Sequence, residues 1–236
     1  MDFSLFVSGV AGTHAAGVAL LNAARCLETC GGDLQKKSRI AKERCPEKRA
    51  AFVQALAEVA AEKLVFLDEC GFALNLHRPY GWAPKGERCC EVVPFNKGKN
   101  RSVLGAYSWP GEANPTGLWA LWQRLGAWDG AGFEQFVAEA LLPQLPMGSV
   151  LVMDNARIHH RHTLHQKVEA AGCRIVYLPP YSPDFNPIEL VWSWLKGSVR
   201  LLAPRTDEQR EQHIQYASRK LPPNAAKGWF HHCGIL

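Results

Sequence analysis

Two uninterrupted apolar runs, each followed directly by an aspartate, constrain the fold of this 236-residue chain more than any other feature of its sequence. Residues 65–67 precede Asp68, and residues 150–153 precede Asp154. Runs without polar alternation are typical of strands covered on both faces, as in the centre of an α/β sheet. If the two strands lie side by side and parallel, both aspartates reach the same sheet edge, where α/β proteins usually bind ligands. One aspartate after a strand is commonly a turn former, whereas two after such similar runs favour a functional site.

The rest of the chain alternates short apolar runs with helical patterns, which predicts an α/β sheet flanked by helices. Strands are predicted at 64–67, 72–77, 88–93, 103–109, 117–122, 150–153 and 174–178. Helices are predicted at 132–142, 162–171 and 187–199. The chain is expected to divide into an atypical leader over 1–33, disordered or weakly helical, a basic linker helix over 34–62, a main α/β domain over 63–204, and C-terminal helices over 205–236, at 206–220 and 223–231.

The net charge of +5 is unevenly distributed. Residues 34–50 hold seven lysines and arginines against two glutamates. A basic segment of this kind suggests a polyanionic partner, although charge alone is explained more simply by a solvated helix face. Lys36, Lys37 and Arg39 are the candidate contacts in this segment.

A second basic segment lies between His77 and Arg101, where prolines and glycines predict an irregular excursion from the sheet. Basic residues alternate there with aromatic ones, a mixture that can grip a nucleic-acid backbone and stack on bases. An irregular surface hairpin explains the composition equally well. The candidate nucleic-acid contacts are Lys85, Lys97, Lys99 and Arg101.

Cysteine usage and the amino terminus predict a cytoplasmic location and no membrane partner. The eight cysteines are irregularly spaced and fit reduced thiols better than a disulfide framework. Residues 3–24 carry no formal charge, but no lysine or arginine precedes them and glycines interrupt them. They therefore match neither a signal peptide nor a membrane span.

A third acidic candidate is Glu189, at the predicted start of the helix over 187–199. Asn186 as N-cap and Pro187 at the first helical position would make Glu189 a capping-box glutamate. A ligand role competes for the same carboxylate oxygens. Lys196 and Arg200 share a helix face with Glu189, a mixed-charge stripe suited to a metal ion and phosphate. Three carboxylates favour Mg²⁺ or Mn²⁺ over zinc, which prefers histidine or cysteine ligands.

Three segments carry a resemblance to a known family. They are Leu67-Asp68-Glu69, Met153-Asp154-Asn155-Ala156 with His159, and the block from Pro179-Pro180-Tyr181-Ser182-Pro183 through Asn186-Pro187-Ile188-Glu189. They resemble the catalytic signature of DDE transposases, and more narrowly the bacterial insertion-sequence-630 type of the mariner superfamily. The 34 residues between Asp154 and Glu189 match the spacing of that group. Residues 80–87 also resemble the family's segment after its first aspartate.

The resemblance implies an RNase H-like mixed sheet flanked by helices, with short helical N- and C-terminal extensions. By the same resemblance, 63–204 is a DDE catalytic domain in which Asp68, Asp154 and Glu189 hold two Mg²⁺ or Mn²⁺ ions. The expected activity is metal-dependent DNA strand cleavage and strand transfer of an insertion sequence. His159 would lie near the phosphate, and Glu69 should face the opposite side of its strand from Asp68. Such enzymes usually act as homodimers on DNA, here in association with the nucleoid.

One departure from the family leaves a second interpretation open. Family members carry paired helix-turn-helix modules that recognise the element ends, whereas residues 1–33 show no basic recognition helix. The chain is therefore expected to be the catalytic half of a split element, with a separately encoded helix-turn-helix subunit. The alternative is a non-catalytic DNA-binding remnant that keeps the fold.

Overall fold

Residues 41–235, apart from 94 and 113, are described by the structure, a computed structural model. The leader predicted over 1–33 and the candidate contacts Lys36, Lys37 and Arg39 lie outside the described residues. The described part forms a mixed sheet with helices on both faces. Its strands are β1 (Leu64–Phe72), β2 (Arg101–Ser108), β3 (Leu118–Leu125), β4 (Val150–Met153) and β5 (Arg174–Tyr177).

The two apolar runs of the sequence form the neighbouring strands β1 and β4. The order across the sheet is β3-β2-β1-β4-β5, with β1, β4 and β5 parallel and the β1–β2 and β2–β3 pairs antiparallel. Phe66 of β1 pairs with Val152 of β4. Two residues further along this parallel register, Asp68 lies beside Asp154, at the same edge of the sheet as the sequence predicted.

β1 is longer than the predicted strand over 64–67. It pairs with β2 along its length, from Val65 opposite Ser108 to Phe72 opposite Arg101. Asp68 therefore does not end its strand. It lies where β1 extends beyond β4, which stops at Met153, so one side of β1 is open at Asp68.

The strands predicted at 72–77 and 88–93 are wrong. Phe72 is the last residue of β1, and the described residues between β1 and β2 form turns and irregular backbone with mostly exposed side chains. Prolines and glycines explain this, because proline cannot donate to a strand ladder and glycine favours turns. The predicted excursion is confirmed.

Six α-helices accompany the sheet in the described residues. They are α1 (Pro46–Ala57), α2 (Gly130–Gln135), α3 (His162–Ala170), α4 (Ile188–Leu202), α5 (Asp207–Ser218) and α6 (Ala225–His232). α2 continues as a π-helical turn, Phe136–Leu141. Within the described part of the linker helix predicted over 34–62, only α1 is α-helical. It starts at Pro46, because proline disfavours helical backbone in the residue before it and suits the first helical position.

The core lies in two layers, one on each face of the sheet. Phe66 packs in the layer with α1, α4, α5 and α6, whereas Val65 and Leu67 pack in the layer with α2 and α3. Because side chains alternate along a strand, Asp68 lies on the same face of the sheet as Phe66, the face that α4 covers, and Glu69 lies on the opposite face. α4 seats its apolar stripe, Ile188, Val191, Leu195 and Val199, in the first layer, with each side chain 0% exposed.

Two further findings concern the whole described part. Its six cysteines are free thiols. None of its helices has both the length and the apolar character needed to cross a membrane.

Candidate active site

The three acidic candidates converge on one cavity. Asp68 comes from the centre of β1, Asp154 follows β4, and Glu189 lies in the first turn of α4. All three line a cavity of about 480 Å³, together with Asn155, Ala156, Asn186 and the loop over 178–183. The sheet register and α4 therefore assemble residues that lie far apart in the chain.

Asp68 is the partly buried member of the trio. Burial, and then the negative charge of Glu189, raise its pKa to about 7. Its Oδ2 accepts a hydrogen bond from Nε1 of Trp192 at 3.0 Å, which opposes that rise. This carboxyl group is held by a buried indole in a site of concentrated negative charge.

Asp154 is more exposed, with 53% of its side chain accessible. Its Oδ1 accepts a hydrogen bond from the backbone nitrogen of Ala156 at 3.0 Å and lies 2.7 Å from Nδ1 of His159. The bond to His159 is the largest cause of a lowered pKa of Asp154. The same Nδ1 lies 3.0 Å from the carbonyl oxygen of Asp154, which only accepts, so Nδ1 carries a proton.

His159, which was expected to lie near the phosphate, is buried next to Asp154. The side chain is 3% exposed and its ring packs on Phe133 with centroids 4.2 Å apart. It lies in the short helical turn Arg157–His159, and its Nδ1 contacts the Asp154 carboxylate from within the protein. Its Nδ1 contacts both the carboxylate and the backbone carbonyl of Asp154.

Glu189 is not a capping-box residue. α4 begins at Ile188 and has no side-chain cap, and Asn186 is buried with no hydrogen-bond partner for its Oδ1. Asn186 has extended backbone and Pro187 helical backbone, as predicted for an N-cap and a first helical residue, but the Asn186 side chain makes no capping hydrogen bond. Capping therefore does not compete for the oxygens of Glu189. Desolvation raises the pKa of Glu189; Lys196 lowers it, and the charge of Asp154 adds to the rise.

The donor set suits a hard divalent cation. Three carboxylates provide the oxygen ligands that Mg²⁺ and Mn²⁺ prefer. A bound cation would also offset the desolvation of Asp68 and its repulsion by Glu189, the two main causes of its raised pKa. Among residues 41–235, no three histidine, cysteine, aspartate or glutamate side chains are already gathered at metal-binding distances. Asp68 and Asp154 instead each use one oxygen in a protein hydrogen bond, to Trp192 and Ala156.

The basic candidates separate into exposed and structural residues. Lys85, Lys97 and Lys99 are exposed in the excursion, and Lys196 and Arg200 are partly buried on α4. Arg101 is different: it is 6% exposed and forms salt bridges with Asp207 and, at 3.1 Å, Glu211 of α5. Its prediction as a DNA contact is therefore corrected, because its guanidinium is neutralised inside the protein.

Part of the basic linker is also neutralised, in a way that the sequence did not indicate. Arg49 of α1 makes two hydrogen bonds to Asp184, at 2.7 and 3.1 Å, and Arg44 also contacts this carboxylate. The Arg49 guanidinium stacks on Phe185, with 3.7 Å to the ring centroid, and Phe52 stacks on the same ring. α1 thus holds the turn that leads to Glu189.

The contact between Trp192 and Asp68 was also not predicted from the sequence. The spacing of three between Trp192 and Glu189 was visible and puts both residues on one side of α4. What the spacing could not show is which atom of β1 the indole would meet.

A family model for the DDE superfamily endonuclease matches residues 63–211, from just before β1 into α5. The chain belongs to the DDE superfamily of endonucleases. The matched range includes Asp68, Asp154 and Glu189 and covers all five strands of the sheet. No curated protein sequence matches the chain.

Solved structures of a transposase share the fold of this DDE superfamily member. A Mos1 transposase paired-end complex with left transposon end has a TM-score of 0.60 and 16% identity, covering 91% of this chain and 70% of that one. The mariner Mos1 paired end complex with Mg has a TM-score of 0.63 and 15% identity, covering 90% and 67%. The catalytic domain of Mos1 mariner transposase has a TM-score of 0.51 and 12% identity, covering 85% and 98%. The predicted RNase H-like fold class is confirmed.

Proposed function

We propose that this chain is the catalytic part of a DDE transposase, which cuts DNA at the ends of an insertion sequence and joins them to target DNA. The observation that carries the proposal is the shared cavity of Asp68, Asp154 and Glu189 inside the segment that matches the DDE endonuclease family. The sequence motifs further support the insertion-sequence-630 type within the mariner superfamily.

We propose that Asp68, Asp154 and Glu189 hold two divalent ions, Mg²⁺ or Mn²⁺. Similar Mos1 complexes have been crystallised with Mg and with Mn, which supports this choice of metals. Bound metal ions would supply an activated water and stabilise the leaving oxygen in phosphodiester cleavage.

The protein groups around the cavity suit a DNA backbone. Lys196 places a positive charge close enough to Glu189 to lower its pKa, where it can also attract a phosphate. The exposed lysines of the excursion, Lys85, Lys97 and Lys99, extend the cationic surface available to DNA. His159 fixes the orientation of Asp154 from within the protein, so that one acidic oxygen is held before substrate arrives.

The partners follow from this function. We propose DNA as substrate, a homodimer that pairs two element ends, and a separately encoded helix-turn-helix subunit for end recognition. Action on chromosomal DNA would place the protein in the cytoplasm, in association with the nucleoid.

A cleavage assay tests the proposal. Labelled DNA carrying the ends of the element that encodes this chain is incubated with the protein and Mg²⁺ or Mn²⁺, and compared with Asp154→Ala and Glu189→Gln. Glu139→Gln is a matched control, because Glu139 is an exposed carboxylate outside the cavity. We expect metal-dependent nicking by the wild type and the control, and loss of nicking in both cavity variants.

Two results would contradict the proposal. Nicking that survives Asp154→Ala would remove the site assignment. A wild-type protein that never cuts, yet binds DNA with a steep salt dependence, would favour the non-catalytic remnant.

A further inference from the structure

Gly105 of β2 lies directly opposite Asp68 of β1 in the sheet register. Glycine in a strand interior weakens the strand and often marks a close approach by another group. Here that group is the indole of Trp192. A Cβ added at Gly105 would lie 2.5 Å from Cη2 and 3.1 Å from Cζ2 of Trp192, distances at which atoms overlap. The indole therefore occupies the space that a side chain at position 105 would fill.

Trp192 is 2% exposed, and a buried indole N–H needs an acceptor. It finds one in Oδ2 of Asp68, at 3.0 Å. Trp192 also lies one helical turn after Glu189, so the same rigid turn of α4 carries one carboxylate of the trio and the donor that holds another. The acceptor that this buried N–H uses is thus a carboxylate that lines the cavity.

We propose that Trp192, seated on Gly105, is a positioning residue for the metal site: it fixes the orientation of Asp68 and its spacing from Glu189. This inference rests on the proposed function and names residues that act through Asp68 without touching the substrate. Partners that orient metal ligands in this way commonly change metal affinity about 10- to 100-fold when removed.

The test measures Mn²⁺ binding by calorimetry with the full chain, independently of DNA cleavage. Trp192→Phe keeps an aromatic ring and removes the donor, and we expect about tenfold weaker Mn²⁺ binding. Trp194→Phe is the matched control, because Trp194 lies on the same helix and packs against the same core layer, whereas the indole that donates to Asp68 is that of Trp192. It should bind Mn²⁺ as the wild type does.

Gly105→Ala provides an independent arm. The added methyl group should displace the indole, weakening Mn²⁺ binding and lowering the thermal midpoint. Because the shorter phenylalanine ring does not reach as far, Trp192→Phe should restore the thermal midpoint of Gly105→Ala but not its Mn²⁺ affinity. Gly105→Ala and Trp192→Phe both act on the hydrogen bond between Trp192 and Asp68, so their effects on stability and Mn²⁺ affinity are not expected to add.

The outcomes separate the two proposals. If the wild type binds Mn²⁺ and Trp192→Phe binds it equally well, Trp192 only fills the core and the inference is overturned, while the proposed function stands. The inference is likewise overturned if Trp192→Phe lowers the thermal midpoint alone. If the wild type neither binds Mn²⁺ nor cuts DNA, the proposed function fails and the inference falls with it.

Discussion

Replacing Asp68 by asparagine should make the metal-free protein more stable, because the folded state opposes ionisation of this carboxyl group. Asparagine retains an oxygen that can accept the hydrogen bond from Trp192. It removes the charge that burial and Glu189 disfavour. The substitution should therefore stabilise the fold and abolish the proposed activity together, a trade-off common at functional sites.

The size of the effect follows from the pKa of Asp68, which is raised from 3.8 to about 7. Between these values the unfolded chain has lost its proton and the folded chain keeps it, so the unfolded state binds fewer protons and stability falls as pH rises. At about 1.36 kcal/mol per pKa unit, the cost approaches about 4 kcal/mol at about pH 8 and is about 1.5 kcal/mol at about pH 5. Asp68→Asn should recover these amounts.

Urea denaturation followed by tryptophan fluorescence, at several pH values from about 5 to about 8.5 with a chelator present, measures the effect. Asp154→Asn is the control with the opposite sign: its pKa is lowered, first by the bond to His159, so its charge stabilises the fold at neutral pH and its loss should destabilise it. A gain for Asp68→Asn that is absent at the alkaline end, or that is equal at both ends of this range, would refute the reasoning.

Three further predictions concern charge. Lys36→Glu combined with Lys37→Glu should weaken DNA binding regardless of DNA sequence, and unchanged retention on a DNA column would contradict this. Arg101→Gln should lower the thermal midpoint and leave the salt dependence of DNA binding unchanged, whereas Lys97→Gln should reduce the salt slope by about one and leave the midpoint unchanged; the reverse pattern would argue against the assignment of these residues. Asp184→Asn removes the partner of two α1 arginines and should destabilise the fold by about 1 kcal/mol, detected as a drop of roughly 2–4 °C in the thermal midpoint; an unchanged midpoint would show that the contact is not stabilising.

The sequence determined the centre of the fold because the physical signal there is local. An uninterrupted apolar run needs cover on both faces, and residues 150–153 form β4 as predicted. The run before Asp68 likewise became a central strand, and the level of the two aspartates followed from parallel pairing. Helix predictions from apolar spacing were close for α3, α4 and α5, where one face is buried.

Tertiary structure decided what single side chains do, because their partners are distant in the chain. No local pattern separates Arg101, neutralised by α5, from the exposed Lys97 and Lys99. Nor does the motif show that His159 is buried next to Asp154. A basic side chain in an irregular segment has the same local sequence whether it contacts solvent, DNA or a buried carboxylate. These three environments differ in interaction free energy, and which of them a side chain meets is decided only when the chain folds.

The same division holds within the acidic trio. Residue types and positions named Asp68, Asp154 and Glu189 as candidates, because carboxylates are ligands for hard cations and α/β sheets bind ligands at the carboxyl ends of their strands. Their environments came from packing: the burial of Asp68 beneath an indole and the missing cap before Glu189 depend on how α4 crosses β1 and β2. The sequence determines which side chains are carboxylates. Their desolvation and hydrogen-bond geometry depend on the elements that folding brings together around them.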